Sequence, residues 1–152
     1  MIRKILATLA LVTPLLFAST VKAENPQHLK QLLSTGECRN CNLIGADLSG
    51  AHLIGADLRG ANLKGANLTE ANLEGSDLTG AILKKANLTS ALLTNVNFKQ
   101  ANMDEANLSR AKIFDSNVYQ ASMKNMNITD AQIFHTGIGI GGKGQINMPD
   151  WD

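Results

Sequence analysis

A five-residue repeat between Cys41 and His135 is the strongest constraint on this chain of 152 residues. Most of its nineteen units read Ala, then Asn or Asp, then Leu, then two variable residues, and the third residue, here called the centre, is always apolar. The first residue is Ala in fourteen units, and the exceptions are Cys41, Ser76, Val96, Ser116 and Met126. Because residues two apart on an extended segment point to the same side, each unit can turn one small and one medium-sized apolar side chain inward.

The outward positions carry a second period, which sets the number of units in a coil. A period of five fits neither a helix, at about 3.6 residues per turn, nor a plain strand, at about two. It suits a short extended side followed by a corner. Hydroxyl residues follow the centre at positions twenty apart, namely Ser49, Thr69, Thr89, Ser109 and Thr129. Asp or Asn precedes the centre in the same units, at Asp47, Asn67, Asn87, Asn107 and Asn127. We therefore predict a solenoid with four units per coil.

These residues closely resemble the pentapeptide-repeat family, whose motif is A(D/N)LXX. The resemblance implies an all-β fold, a right-handed quadrilateral β-helix, here of about five coils. The composition agrees, because aromatic residues make up only 4% of the chain and a repeat architecture can bury aliphatic side chains instead. Most family members have no assigned chemistry, so the resemblance implies a fold without an activity or a cofactor.

Residues 1–23 read as a secretory signal peptide. Arg3 and Lys4 precede an apolar stretch, and Val21-Lys22-Ala23 supplies compact residues at the positions that a signal peptidase reads. A membrane anchor is the alternative, but the apolar stretch is shorter than the roughly 20 residues that a span needs. Cleavage after Ala23 would leave 11 basic and 13 acidic residues, a net charge of −2. We expect an exported protein of the periplasm or thylakoid lumen, without an integral membrane segment in the mature chain.

A capping helix is predicted over residues 24–36. Asn25 suits the N-cap, Pro26 the first helical position, and Gly36 the end of the helix. An apolar stripe, formed by Leu29, Leu32 and Leu33, predicts that the helix lies on the first coil, because terminal repeats need a cap. We also expect the helix to shield two outward isoleucines of that coil, Ile44 and Ile54.

Two cysteines, Cys38 and Cys41, follow this helix. Extending the repeat backwards places Cys38 at a centre and Cys41 at the next small inward position, which favours a structural disulfide in an exported chain. Free thiols, a redox-active pair and half of a metal site are the alternatives. A structural zinc site needs four ligands, so a metal is not expected. The segment from Asn25 to Cys41 also resembles the capping helix and Cys-x-x-Cys segment of exported cyanobacterial family members.

An aromatic patch is the candidate interaction site. The register puts Leu92, Phe114 and Phe134 on one side of the rod and Tyr119 on the neighbouring side. Exposed apolar groups that lie together usually mark an interface. The alternative is that the glycine-rich tail, residues 139–152, covers Phe134. We assign residues 37–138 to the β-helix.

No group of residues in the sequence indicates an enzyme. The acidic residues of the repeat are scattered outward without a cleft, so we expect no catalytic residue and no metal. Direct nucleic-acid binding lacks a basic stripe with aromatic residues. Some family members mimic DNA and bind topoisomerases, but the signal peptide and near-neutral charge disfavour this. The hydroxyl column could bind an ordered surface, although such residues also suit outward strand positions. The preferred hypothesis is a structural or interaction module with an unknown protein partner or self-association, and the runner-up is a thiol-active protein.

Overall fold

A computed structural model of the chain describes residues 24–136. Its elements are one helix, α1 (Pro26–Thr35), and two short parallel strands, β1 (Lys112–Phe114) and β2 (Gln132–Phe134). The predicted signal peptide and the predicted tail lie outside the described residues. No helix within residues 24–136 is long and apolar enough to cross a membrane.

The repeat winds with a spacing of twenty residues. Parallel bridges join residues twenty apart along the described rod, from Glu37 with Asp57 to Asn107 with Asn127. At each corner, the first residue of the next unit donates to the carbonyl of the preceding centre, as Ala46 does to Leu43 at 3.1 Å. The period of four units per coil, predicted from the outward residues, is confirmed.

Backbone hydrogen bonds join each coil to both neighbours by a constant rule. A centre donates to the carbonyl nineteen residues ahead, as Leu43 does to Asn62 at 2.8 Å. The outward residue before a centre donates to the carbonyl twenty-one residues earlier, as Asn62 does to Cys41 at 2.8 Å. Parallel coils therefore satisfy their backbone groups without a flat sheet.

Every corner between sides needs a left-handed residue. The fifth residue of each unit has positive φ, at Gly65 as at Lys85, with φ of 65° and 61°. Thirteen residues other than Gly adopt this conformation in the described chain. An L side chain is strained there, so the corners are places where the fold overrides local preference.

The interior is an aliphatic stack that loosens at the C-terminal end. Leucine centres such as Leu63 and Leu78 are fully buried. In the last described coil the centres Met123, Ile128 and Ile133 are only partly buried, although they pack against the same core. A middle coil has a described neighbour on both sides, whereas this coil has a described neighbour on one side only.

Two expectations about α1 are wrong in detail. Leu32 is buried and Leu29 partly buried, but Leu33 is 57% exposed because the helix places the two inward leucines three residues apart and turns the third aside. Ile54 is 62% exposed and Ile44 only half-buried. The helix covers the end of the interior, whereas Ile54 points out from a side of the rod.

Candidate functional site

The two cysteines lie inside the first coil. Cys38 follows the centre rule, because its N–H donates to Asp57 nineteen residues ahead at 2.8 Å. Its Sγ lies 2.12 Å from Sγ of Cys41, and the two residues are 0% and 4% exposed. The structure therefore brings the predicted pair together at the inward positions that the register assigns to it.

Helix α1 is fixed to this coil at both ends. Its N-cap is Asn25, whose side chain accepts from the N–H of Gln27, and its C-cap is the left-handed Gly36. Asn25 N–H donates to the carbonyl of Asn42 at 3.0 Å, and Asp57 N–H donates to the carbonyl of Gly36 at 2.9 Å. The helix thus spans the end of the rod between two sides.

A histidine completes the first of these attachments. Nδ1 of His28 accepts the backbone N–H of Asn42 at 2.9 Å. The carbonyl of His28 lies 3.2 Å from Sγ of Cys38. Sequence reasoning missed this role, because a single histidine on the helix carries no motif and its partner is fourteen residues away.

The aromatic patch, defined as Leu92, Phe114, Tyr119 and Phe134, is centred on the paired strands. Phe114 of β1 and Phe134 of β2 lie in register, with ring centroids 5.5 Å apart and planes tilted by 41°. Leu92 lies one coil before Lys112 on the same side of the rod, and a parallel bridge joins the two residues. Phe134, Tyr119 and Leu92 are 59%, 62% and 37% exposed, and Phe114 is half-buried.

Charged groups border this patch. Asp115 and His135, which follow the two phenylalanines at the corner, approach to 3.4 Å between Oδ1 and Nδ1. Lys112 precedes the first ring in β1 and is exposed. The alternative, that the glycine-rich tail covers Phe134, concerns residues outside the described part of the chain and stays a prediction. The patch combines apolar contact area with polar borders, which is typical of an interaction surface.

The hydroxyl column is occupied by its own hydrogen bonds. The hydroxyl of Thr69 donates to Oδ1 of Asn67 at 2.7 Å and accepts from Nδ2 of Asn87 at 2.9 Å. Thr89 repeats the pattern with Asn87 and with Asn107. These hydroxyl hydrogens are donated to the asparagine of the same unit, so they are not free to bind an ordered external surface. The hydroxyl column therefore has a structural role.

An ion-pair cluster fastens the first two coils on another side. Arg59 forms a two-point contact with Asp57, through its Nε at 2.7 Å and through Nη2, and Arg39 adds a contact at 3.2 Å. These hydrogen bonds, from Arg59 above all, lower the pKa of Asp57 although partial burial opposes the shift. Arg59 Nε also lies 3.7 Å from Asp77, so the cluster links charged residues of the first two coils.

A second acidic group lies farther along the rod. Nζ of Lys84 and of Lys85 approach the Glu105 carboxylate to 3.1 and 3.3 Å, and their hydrogen bonds lower its pKa. The hydroxyl of Ser122 donates to Asp104 at 2.6 Å and lowers the pKa of that carboxyl. Within residues 24–136, no three His, Cys, Asp or Glu side chains are grouped to hold a metal ion.

The repeat matches a known family model over most of its length. The model of the pentapeptide repeats, which describes eight copies, matches residues 41–80, 81–118 and 91–130. No curated protein gives a significant match.

Solved structures of similar proteins come from plants and bacteria. A pentapeptide repeat protein from the Arabidopsis thaliana thylakoid lumen is 26% identical, with a TM-score of 0.47, and the match covers 80% of this chain and 74% of that one. The pentapeptide repeat protein Rfr23 from the cyanobacterium Cyanothece is 22% identical, with a TM-score of 0.48 and coverage of 73% and 97%. A plasmid-mediated fluoroquinolone resistance protein is 18% identical, with a TM-score of 0.37 and coverage of 67% and 65%.

Proposed function

Because this chain belongs to the pentapeptide-repeat family, we propose that it is an exported, non-enzymatic structural or protein-interaction module. Proteins of this family are right-handed quadrilateral β-helices and are generally structural or interaction modules. We propose about five coils, which at a spacing of about 4.8 Å make a rod roughly 24 Å long. Its parts would be a signal peptide (1–23), a capping helix (24–36), the β-helix (37–138) and a tail (139–152).

The export proposal rests on the N-terminal sequence. Basic residues, an apolar stretch and the compact residues that end at Ala23 form the pattern that a signal peptidase recognises. The expected compartment is the periplasm or thylakoid lumen. Mass spectrometry of the protein from fractionated cells of its source should find a chain that begins at Glu24, outside the cytoplasm. A cytoplasmic protein that retains residues 1–23 would contradict export.

The partner proposal is carried by the contact between the rings of Phe114 and Phe134 beside exposed Leu92 and Tyr119. Several large apolar side chains on one area of a polar rod favour a protein partner, or a second copy of the chain, over a small molecule. Ordered aromatic side chains on paired strands would lose little conformational freedom on binding. We propose the aromatic patch as the binding site.

A double substitution tests the aromatic patch. Phe114→Ser with Phe134→Ser should weaken association at least tenfold, in affinity capture from the native compartment or in sedimentation for self-association, while the thermal transition shifts by only a few degrees. The matched control is Leu33→Ser with Ile82→Ser, which removes two exposed apolar side chains, one from α1 and one from another side of the rod. Equal loss in both variants, or none in the first, would contradict the proposed site.

We also propose that Cys38 and Cys41 form a structural disulfide. Their burial beneath α1 supports this over a redox-active pair, since a thiol that exchanges must be reachable. Thiol titration of the folded protein should find none, and reduction should require unfolding of the cap. Ready reduction by thioredoxin-like reagents would favour the thiol-active alternative.

DNA mimicry has the least support, because Lys64, Lys84 and Lys124 line one side of the rod.

A further inference from the structure

Asn42 lies in the first described coil, and the residue twenty-one positions before it lies outside residues 24–136. In the next coil, Asn62 at the equivalent position donates to Cys41 twenty-one residues earlier. At Asn42 the acceptor is instead Nδ1 of His28, at 2.9 Å, and Asn25 returns a bond to the carbonyl of Asn42 at 3.0 Å. We propose that His28 is an acid-sensitive latch that holds α1 on the first coil.

The chemistry of the bond determines whether acid strengthens or weakens the latch. A backbone N–H only donates, so Nδ1 must keep its lone pair, and the proton of the neutral ring lies on Nε2. A protonated ring carries N–H groups on both nitrogens, and the N–H of Asn42 would then face another donor. Proton binding and latching therefore compete. Acid that protonates Nδ1 therefore removes the acceptor, and the bond to Asn42 is lost.

Charged neighbours decide whether this competition dominates. The charged and titratable residues of the α1 segment and of the coil that it covers are Glu24, Lys30, Glu37, Arg39, Asp47, His52 and Asp57, and Arg59 and Lys64 follow in the next coil. Glu24 is chosen for a separate test, because its Oε2 is buried and has no hydrogen-bond partner among the described residues. A carboxylate near the ring would favour the imidazolium and oppose the effect of the Asn42 bond. The disulfide-bonded cysteines do not titrate.

Release of the latch would uncover the first coil. Leu32 of α1 is buried against the same core as Cys38, and the carbonyl of His28 lies 3.2 Å from that sulfur. A ten-residue helix is marginal without packing, so α1 should unfold once it detaches. The coils beyond it keep their own hydrogen bonds. Acid would thus expose the cysteine pair without unfolding the rod.

Amide hydrogen exchange measures the latch directly. The opening constant of the Asn42 amide, corrected for the intrinsic exchange rate at each pH, should rise about two- to tenfold between pH 7.5 and 5, the change that corresponds to the loss of one hydrogen bond. The Asn62 amide, which is bonded to Cys41, is the internal reference and should stay constant. A flat response at Asn42, or an equal rise at Asn62, would overturn the proposal.

Two substitutions separate the latch from general acid sensitivity. His28→Asn keeps an acceptor near the position of Nδ1 but cannot be protonated, so Asn42 should stay protected at both pH values. His28→Ala lacks the acceptor, so Asn42 should exchange readily at both. If His28→Asn retained the full pH dependence of the native protein, another group would be responsible and the proposal would fail.

Two further measurements address the neighbour and the state of the ring. Glu24→Gln should leave the acid response equal or larger, and its disappearance would assign the titration to Glu24 and contradict the latch. Nitrogen NMR of the native protein at neutral pH should show Nδ1 of His28 unprotonated and Nε2 protonated. The reverse tautomer would be incompatible with the bond to Asn42.

Discussion

The side-chain amide of Asn87 donates to the hydroxyl of Thr69, one coil earlier, at 2.9 Å. Asn107 makes the same bond to Thr89 at 3.0 Å, and the hydroxyl of Thr89 donates to Oδ1 of Asn87 at 2.6 Å. Each of these hydroxyls therefore accepts a bond from the following coil and donates one within its own unit. This column links successive coils through side chains in addition to the backbone.

Removing one hydroxyl of the column should weaken the rod measurably. Thr89→Val keeps the side-chain shape but removes the hydroxyl's hydrogen bonds to Asn87 and Asn107, each worth about 0.5–1.5 kcal/mol, and a longer contact with Ser109 at 3.4 Å. We expect the free energy of unfolding in urea to fall by about 1–2 kcal/mol. Thr94→Val is the matched control, because Thr94 also follows a centre but lies on another side of the rod. Its hydroxyl makes no hydrogen bond with residues 24–136. Equal losses in both variants would refute the role of the column.

The corner conformation predicts opposite effects at two equivalent positions. Gly65 has φ of 65°, and an added Cβ would meet nothing within 4 Å, so any cost of Gly65→Ala comes from the backbone alone. We expect a loss of about 1 kcal/mol. Lys85 has φ of 61° at the same corner one coil later, and Lys85→Gly should be neutral or stabilising, because the relief of the strained φ offsets the loss of an exposed ion pair with Glu105. Chemical denaturation measures both, and a stabilising Gly65→Ala would contradict the interpretation.

How far the sequence predicts this fold depends on which residues repeat. The centres, the small inward residues and the period of twenty are visible in the letters, because burial tolerates few residue types there. The corners are not visible in the same way. Gly fills many early corners, such as Gly45 and Gly65, but later ones hold residues such as Lys85 and Gln100. Local preference alone would not assign positive φ to those residues.

The candidate sites divide along the same line. The register placed Phe114 and Phe134 on one side of the rod and the two cysteines at inward positions, but it gave no ring contact. It did not predict the bond from Asn42 to His28, because that bond depends on where α1 lies across the end of the rod. The same uncertainty explains the exposed Leu33 and Ile54. Repeats specify their own packing, whereas a cap is placed by tertiary contacts that no period encodes.

The position of a centre along the rod should determine how much its truncation lowers the free energy of unfolding. Leu78→Ala removes a fully buried centre between two coils, and we expect a loss of about 2–5 kcal/mol. Ile133→Ala removes a similar volume from the last described coil, where the centre is only partly buried, and should cost about half as much or less. Urea unfolding of both variants is the measurement. Equal costs would mean that the last coil is as well covered as the middle of the rod.

The Asp57 cluster should make part of the stability depend on pH. Hydrogen bonds from Arg59 lower the pKa of Asp57 in the folded chain, so its contribution is present above the unfolded value, near about 3.9, and is lost as pH falls toward the folded value. Asp57→Asn should cost about 1–3 kcal/mol at pH 7, and its difference from the native protein should narrow between about pH 4 and 2. Asp130→Asn, at an exposed corner, is the control and should cost little at any pH. Denaturation across this range provides the measurement, and a difference for Asp57→Asn that stays constant with pH would exclude the ion pair as its cause.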